Sequence, residues 1–220
     1  GNITVIDLDA LGNGTAQDPL WGHGVYLNND GGTGNIVLGT ARAGWYNGFG
    51  ENFLSGLEIY SNGTVTLSRI SAGGNGIDNT IDPIYGYGVK IDNTNIGLLP
   101  KTVTLLGTNF FSDNASGGLY VTSHGAITLS NITVDFNGHR ASGGDGVNLQ
   151  NYNAATPQPV TLSGVNELTS NYNNGLQVIS KGAITISNIT SSYNGDGAEL
   201  YNDINPLSPQ NVTLTGFNEF

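Results

Sequence analysis

The sequence predicts an all-β protein, a right-handed parallel β-helix of about seven to eight coils with three short strands in each coil. The first observation is internal repetition, because residues 125–133 (GAITLSNIT) return as residues 182–190 (GAITISNIT), 57 positions later. Looser copies occupy residues 63–71 and 1–5. Units that recur at a regular spacing stack on one another, and each buries its apolar face against the next.

Two short strand patterns alternate along the chain and supply the second observation. In the first, a polar residue (usually Thr) separates two apolar residues, and in the second a Gly opens an apolar-x-apolar triplet. Both have a period of two residues, and no helical period of 3.6 residues accompanies them, so α/β folds are excluded. The first pattern begins at residues 3, 36, 65, 103, 127, 160, 184 and 212. The second begins at Gly24, Gly56, Gly88, Gly118, Gly146, Gly175 and Gly197.

The spacing of the first pattern gives the size of one coil and is the third observation. The shortest spacing, 24 residues between positions 103 and 127, leaves room for three strands and three turns, so a middle strand completes each coil. This strand takes two forms, represented by residues 132–137 (ITVDFN) and 165–171 (VNELTSN). Two coil types therefore alternate, which explains a true repeat of about 60 residues.

An Asn lies ten or eleven positions after the start of the first strand in every complete coil. Stacked Asn side chains can hydrogen-bond to their copies above and below, which satisfies buried amides at a corner. Asn also tolerates the left-handed backbone conformation that a sharp corner needs. We therefore predict a structural ladder. Its members are Asn13, Asn47, Asn75, Asn114, Asn137, Asn171 and Asn194.

Composition limits the classes of partner. The 220 residues include 34 Gly and 29 Asn but neither Cys nor Met, and 37% of them are hydrophobic. Short alternating apolar groups indicate a folded chain, and the lack of Cys excludes disulfides and thiolate metal sites. The net charge of −11 argues against nucleic acid or anionic lipid as a partner. No apolar run is long enough to insert into a membrane.

Residues 1–220 are predicted to form one β-helix without an internal linker. Residues 212–219 repeat residues 160–167 and then stop, and no initiator Met is present, so we expect a segment of a longer array. Its partners along that array are then neighbouring repeats of the same chain. An acidic, Cys-free repeat chain rich in Asn and Gly is typical of secreted or cell-surface material of bacteria.

The repeats resemble those of right-handed parallel β-helices in pectin-lyase-like proteins, and especially in filamentous-haemagglutinin-like bacterial surface adhesins. The similarity lies in the strand patterns of residues 125–133 and 182–190 and in the Gly-apolar-x-apolar triplets, and it extends over the whole chain. It implies an exported, rigid stalk or adhesin shaft. Pectin-lyase-like folds also carry polysaccharide lyases, glycoside hydrolases and carbohydrate-binding modules, which form the alternative.

No complete catalytic motif is found, so we predict no catalytic residue. A glycosidase needs two carboxylates at a defined separation. The polygalacturonase family combines Asp-Asp, Gly-His-Gly and Arg-x-Lys, and only residues 22–24 (GHG) match. His139, Arg140 and Asp145 either converge within one loop or are solvated loop residues.

Calcium is the one ion that the sequence leaves open, and no other cofactor is predicted. Asp145 and Asp196 each precede a Gly and occupy equivalent places in two coils of one type, which is compatible with an oxygen-rich cation site. Turn formation explains an Asp-Gly pair equally well, and the nine-residue period of Gly/Asp-rich calcium repeats is missing.

The outward positions of the first strand form a column of Thr residues beside a column of mostly Ser residues. A flat Thr/Ser array resembles the ice-binding faces of some β-helical antifreeze proteins, which makes ice binding a remote alternative. Val37 and Leu106 interrupt the array, and Ser and Thr are ordinary residues on an exposed strand.

Carbohydrate, including that of a host or neighbouring cell surface, is the ligand class that the sequence favours. Aromatic side chains lie on the outward positions of the Gly-apolar strand and in nearby loops, beside carboxylates and amides that suit sugar hydroxyls. Packing of these aromatic residues onto the coil is the alternative. The candidate ligand-binding residues are Trp21, Tyr26, Glu58, Tyr85, Tyr87 and Tyr120.

Overall fold

The structure, a computed structural model, describes residues 1–16, 21–78, 86–94, 99–139, 143–202 and 210–220. Over these ranges the chain has twenty-one β-strands and no helix. Every strand pair is parallel, and strands of successive coils lie side by side. The predicted parallel β-helix with three strands per coil is therefore confirmed, with seven coils and the start of an eighth in the described residues.

The first strand of each coil carries a polar residue flanked by two apolar residues, as predicted, except in the second coil, where Val37 takes the polar position. These strands are β1 (Ile3–Ile6), β4 (Ile36–Gly39), β7 (Val65–Ser68), β10 (Val103–Leu106), β13 (Ile127–Ser130), β16 (Val160–Ser163), the first half of β19 (Ile184–Ser192) and the first half of β21 (Val212–Glu219).

The middle strands follow the first strands around a corner and pair with one another, and they join the same sheet through β19, which passes the corner without a break. They are β2 (Asp9–Leu11), β5 (Asn47–Gly50), β8 (Ile70–Gly73), β11 (Asn109–Ser112), β14 (Ile132–Asp135), β17 (Asn166–Thr169) and the second half of β19.

The third strands carry the Gly-apolar-x-apolar pattern and form a separate seven-stranded sheet. They are β3 (Val25–Asn29), β6 (Leu57–Ser61), β9 (Tyr87–Asn93), β12 (Gly117–Ser123), β15 (Val147–Gln150), β18 (Asn174–Ile179) and β20 (Asp196–Tyr201).

The core is a set of apolar columns that run along the helix axis. Burial alternates along each strand, so that Val65 and Leu67 of β7 are fully buried while Thr66 and Ser68 face outward. The same positions in the next coils stack Val103 on Val65 and Leu105 on Leu67. The period of two therefore sorts residues to the inside and the outside, and each coil buries its apolar residues against its neighbours.

The asparagine ladder is confirmed and runs through all seven coils. Each Nδ2 donates to the Oδ1 of the next rung over 2.8–2.9 Å, and the same Oδ1 accepts from the backbone N–H of the rung below. From the second rung on, Nδ2 also donates to a backbone carbonyl of the preceding coil. The rungs are Asn13, Asn52, Asn75, Asn114, Asn137, Asn171 and Asn194.

The prediction of Asn47 as a rung is wrong, because Asn52 occupies that place. Asn47 lies at the preceding corner, where its Oδ1 accepts from the Leu8 N–H and its Nδ2 donates to the Ser68 carbonyl. Residues 40–46 lengthen this corner in the second coil, so counting from the first strand stops five positions short of the rung.

The left-handed backbone conformation at the ladder corner belongs to the residue before each Asn, which also differs from expectation. Glu51, Asp113, Phe136, Ser170 and Tyr193 have φ between 50° and 57°, and Gly occupies this position in the first and third coils. The Asn is therefore selected for its side-chain amide, and its neighbour makes the turn.

The corner between the first and middle strands explains why two coil types alternate. In the fifth coil Asn131 has a φ of 48°, and its Oδ1 accepts from the Val165 N–H of the sixth coil. The sixth coil has Gly164 beside that side chain, and a Cβ there would overlap Asn131 Oδ1. Asn188 and Gly216 repeat this arrangement one repeat later.

Candidate functional site

The outer face of the seven-stranded sheet collects the polar and aromatic side chains that the sequence singled out. Strand register places one outward residue of each coil directly beside its copy in the next coil, in two columns. The first column is Tyr26, Glu58, Lys90, Tyr120, Asn148, Gln177 and Glu199. The second is Asn28, Tyr60, Asp92, Thr122, Gln150, Ile179 and Tyr201.

Glu58 is the centre of an ion-pair cluster on this face. Only 2% of the residue is exposed, and its Oε1 accepts from Lys90 Nζ at 2.8 Å and from the Tyr60 hydroxyl at 2.7 Å. His23 Nδ1 lies 3.2 Å from the other carboxylate oxygen. A buried carboxylate needs such partners, because an unpaired charge in this position would be strongly destabilising. Glu58 therefore positions its neighbours and is not exposed to a ligand, contrary to its predicted role.

Within the cluster, Lys90 and Tyr60 hold their protons firmly and His23 does not. Burial works against the charge of Lys90, but the hydrogen bond and charge of Glu58 outweigh it and raise the pKa of Lys90. Burial, followed by the hydrogen bond and charge of Glu58, raises the pKa of Tyr60 to about 12. Burial lowers the pKa of His23 below 6.5, and the Glu58 charge opposes this effect only in part. At neutral pH the cluster thus contains a charged Lys90 and a protonated Tyr60.

Aromatic rings surround this cluster and continue along the face. The Tyr26 ring, with half of the residue exposed, lies 5.6 Å from the Tyr60 ring and 5.9 Å from His23. Tyr87 and Tyr120 form a second pair with their ring centroids 5.5 Å apart. Tyr26, Tyr87 and Tyr120 are therefore brought to one surface, where they pack on each other and remain partly accessible.

Amides and carboxylates continue the face through the last three coils. Asn148 Nδ2 donates to Gln177 Oε1 at 2.7 Å, and Gln177 Nε2 donates to Glu199 Oε2 at 2.6 Å. Hydrogen bonds from the Tyr201 hydroxyl and from Gln177 lower the pKa of Glu199. The amide groups are thereby oriented in one chain of hydrogen bonds along the axis.

A pocket of about 290 Å³ opens in the middle of this face, between Tyr120 and Tyr152. Its floor includes Asp92, Thr122 and Gln150 of the second column. Tyr152 is not among the ligand-binding residues that the sequence predicts. Tyr152 lies in the turn that follows β15, two positions beyond Gln150, where no strand register indicates the side on which a residue lies.

Of the two loop aromatics predicted to bind a ligand, Trp21 lies within the described residues and Tyr85 does not. Trp21 lies at the neck of the loop that follows Asn13, where its carbonyl is beside Gly14, and the residue is 72% exposed. It is thus at the ladder corner and apart from the tyrosine pairs. Tyr85 lies outside the described residues.

The ladder corner carries a larger cleft of about 660 Å³ near Trp21. Asn52 and Phe53 of the second coil line the cleft, together with Thr15 on the first loop and Asp78 after the third coil's corner. The loops that follow Asn13 and Asn75 begin at this same corner, because the Phe53 N–H donates to the Asn13 carbonyl and the Gly76 N–H donates to the Asn52 carbonyl.

The predicted calcium residues lie in equivalent places two coils apart, with Asn174 between them. Asp145 already accepts from Asn148 Nδ2 at 2.8 Å and from the Asn174 N–H of the next coil at 3.2 Å, so both of its carboxylate oxygens are engaged by the protein. Asp196 is exposed at the start of β20. Across the described ranges, no group of three or more His, Cys, Asp or Glu residues is placed to hold a metal ion.

Two further predictions concern the loop that contains His139 and Arg140 and the serine column on the first strands. His139 Nε2 lies 2.7 Å from the Ser170 carbonyl and its ring stacks edge-on against Tyr172, while Arg140 lies outside the described residues. On the first strands, the Ser130, Ser163 and Ser187 hydroxyls donate to leucine carbonyls of the preceding coils. The serine column is therefore engaged with the protein, which disfavours an ice-binding array.

Comparisons of the chain with protein-family models, curated proteins and solved structures each give no match. None of the described residues forms a helix long and apolar enough to cross a membrane. The interpretation of the outer face consequently depends on its own residues.

Proposed function

We propose that the chain is a rigid shaft segment of a secreted bacterial surface protein. The unbroken asparagine ladder carries this proposal, because each rung ties its coil to both neighbours through the side-chain amide. A stack whose coils are joined in this way resists bending and sliding, which is the property that a stalk needs. The acidic, Cys-free composition and the resemblance to filamentous-haemagglutinin-like repeats support an exported location.

Single-molecule force spectroscopy on the purified chain, held by its two ends, tests the shaft. We expect resistance followed by stepwise extension, with steps that correspond to whole coils. Smooth extension at low force, like that of an unstructured polymer, would contradict a mechanical role. Immunogold labelling of the encoding bacterium tests the location, and label confined to the cell interior would refute an exported shaft.

A second function, contact with carbohydrate through the outer face of the seven-stranded sheet, is favoured by a specific observation. This face presents Tyr26, Tyr120 and Tyr152 beside carboxylate and amide groups, a combination that suits stacking on sugar rings and bonding to their hydroxyls. Binding is favoured over polysaccharide cleavage, because the Glu58 carboxylate is buried and already accepts hydrogen bonds from Lys90 and Tyr60.

A glycan array probed with the chain, once with calcium and once with a chelator, tests the carbohydrate contact. Binding to one glycan class that Tyr26→Ala or Tyr120→Ala abolishes is the expected result. Tyr172→Ala is the matched control, because Tyr172 is equally exposed but lies beside His139 at the ladder corner. A negative array under both conditions would leave the shaft as the only function of this segment.

A further inference from the structure

The pocket between Tyr120 and Tyr152 is a recess on the outer face of the seven-stranded sheet. Its volume of about 290 Å³ lies at the lower end of the range for small-molecule sites, roughly 300–1,000 Å³. Polar side chains from three successive coils converge on it, namely Asp92, Thr122 and Gln150. The recess is thus of a size for one small polar ring and not for an extended segment.

Hydrogen bonds orient the polar groups of this pocket. Asp92 Oδ1 accepts from the Thr94 N–H at 3.0 Å and from its hydroxyl at 2.5 Å, which fixes the carboxylate. Gln150 Nε2 donates to Asn148 Oδ1 at 2.9 Å, so the side-chain carbonyl oxygen of Gln150 is the atom that can accept a hydrogen bond from a ligand. A pre-organised set of acceptors lowers the entropy cost of binding a ligand with several hydroxyl donors.

The two tyrosines complete the pocket. Burial raises the pKa of Tyr120; the charge of Lys90 opposes this effect, while Tyr152 and Asp92 act in the same direction as burial. Tyr120 and Tyr152 line the same pocket as Asp92 and Gln150, so that aromatic surface and hydroxyl-binding groups meet at one place. A pyranose ring has the same combination, with apolar C–H faces and hydroxyls at its rim.

We propose that this pocket is a subsite for one uncharged pyranose ring of a polysaccharide or glycan, stacked on Tyr152 or Tyr120 and bonded through Asp92 and Gln150. The proposal rests on the carbohydrate contact proposed above and names its location and ligand class. It adds Tyr152, Asp92 and Gln150, which the sequence did not indicate as ligand-binding residues.

The charge of the pocket selects a neutral sugar. Asp92 is a carboxylate without a salt-bridge partner among the described residues, and the charge of Lys90 at the rim is paired with Glu58. The chain as a whole carries a net charge of −11. A uronic acid would therefore meet like charge both in the pocket and at long range, and its binding would be weaker.

Isothermal titration of the purified chain with matched methyl glycosides tests this subsite. Methyl glucoside, galactoside and mannoside are each compared with the uronide in which a carboxylate replaces the hydroxymethyl group. We expect at least one neutral glycoside to bind at least tenfold tighter than its uronide. Two-dimensional NMR on the same samples should show the largest shifts at Tyr120, Tyr152 and their neighbours.

Variants separate the subsite from the wider face. Tyr152→Ala should weaken binding at least tenfold, Tyr152→Phe should keep it within about threefold because the stacking surface remains, and Asp92→Asn should weaken it about tenfold. Tyr172→Ala should leave the affinity unchanged. Circular dichroism and thermal melting establish that each variant is folded.

The outcomes distinguish this proposal from the one on which it rests. If the chain binds glycans and Tyr26→Ala abolishes binding while Tyr152→Ala does not, the subsite is wrong and the carbohydrate contact stands. If uronides bind as tightly as the neutral sugars, the ligand class is wrong. If neither the glycosides nor the array shows binding, both proposals fail.

Discussion

At the scale of single residues, the ladder asparagine shows why an amide is needed. Both hydrogens of Asn137 Nδ2 and its Oδ1 are engaged, since Nδ2 donates to Asn171 and to the Phe111 carbonyl while Oδ1 accepts from Asn114. Asn supplies a donor pair and an acceptor on one short side chain. A carboxylate lacks the donors and an apolar residue lacks both, so only an amide completes the rung.

Replacing Asn137 by Leu should therefore destabilise the protein severely. The change removes the acceptor of the Asn114 backbone N–H and side-chain amide and the Nδ2 that donates to the Phe111 carbonyl, all in a buried corner, while Asn171 Oδ1 keeps only its bond from the backbone N–H of residue 137. Each buried unsatisfied group costs about 1–3 kcal/mol. We expect the free energy of unfolding in urea to fall by about 3 kcal/mol or more. Asn28→Leu, at an exposed position, is the control and should change it by less than about 0.5 kcal/mol. If the Asn137 variant is as stable as the wild type, the ladder does not stabilise the protein.

His23 gives the molecule a predicted pH dependence. Burial lowers the pKa of His23 in the folded state below its ordinary value of 6.5, so the unfolded chain binds the proton more readily. The stabilisation is present above pH 6.5 and is lost as the pH falls through the folded pKa. We expect an NMR titration of the His23 ring to give a midpoint below 6.5, and His23→Gln to flatten the loss of stability between pH 6.5 and 5. A midpoint above 6.5 would show that the Glu58 charge dominates.

At the scale of elements, the strands could be predicted from the sequence, but one corner could not. A period of two with apolar residues inside determines the register of each strand, because a slip by one residue would expose the whole column. Corners lack this constraint. Residues 40–46 form a long corner in which Arg42 lies over the Trp45 ring at 4.7 Å, and this insertion moves the rung from Asn47 to Asn52. Counting back four positions from Gly56 would have found Asn52.

For the outer face, the sequence predicts which residues align in a column but not which of them are exposed. The strand pattern places Tyr26, Glu58 and Tyr120 on one surface, and the register agrees. Burial within that surface depends on which side chains fold over it, and periodicity contains no information on this. Glu58 is therefore inaccessible, although its neighbour Tyr26 is half-exposed, and Tyr152 joins the pocket from a loop without any repeat pattern.

The alternation of corners leads to a prediction with an internal control. Gly164 and Gly44 both have a positive φ, of 77° and 78°, but an added methyl group meets Asn131 at the first and nothing at the second. Alanine at either position carries the left-handed strain of about 1–2 kcal/mol. We expect Gly164→Ala to lower the free energy of unfolding by about 1–3 kcal/mol more than Gly44→Ala, because the Asn131 hydrogen bond to Val165 is lost.

A double-mutant cycle checks the cause. Asn131→Gly removes the clashing side chain without new backbone strain, since Gly accepts the φ of 48°. In that background the additional cost of Gly164→Ala should largely disappear, giving a coupling energy of about 1–3 kcal/mol. If Gly164→Ala keeps its additional cost in the Asn131→Gly background, a contact other than the one between these two residues causes the alternation of coil types.

At the scale of the whole molecule, stability is a sum of contacts between neighbouring coils, so the chain should tolerate changes that keep the order of the two coil types. The fifth and seventh coils are of one type, and Asn166 of the sixth coil bonds to the Ser187 carbonyl of the seventh. A coil therefore needs a neighbour of the other type on each side. Length can vary in steps of one repeat, which suits a shaft.

Deleting residues 137–193 should leave a folded, shorter rod, because it removes one whole repeat and joins Phe136 to Asn194 at the equivalent corner. The denaturant slope, which scales with the surface exposed on unfolding, should fall by about a quarter while the transition stays cooperative. Deleting residues 137–170 removes fewer residues but stacks two coils of one type, so that Asn131 adjoins Asn188 and the bridge from Asn166 to Ser187 is lost. This shorter deletion should melt at a lower temperature than the longer one, as followed by circular dichroism. If the shorter deletion instead melts at the higher temperature, the two-coil repeat reflects gene duplication and is not required for packing.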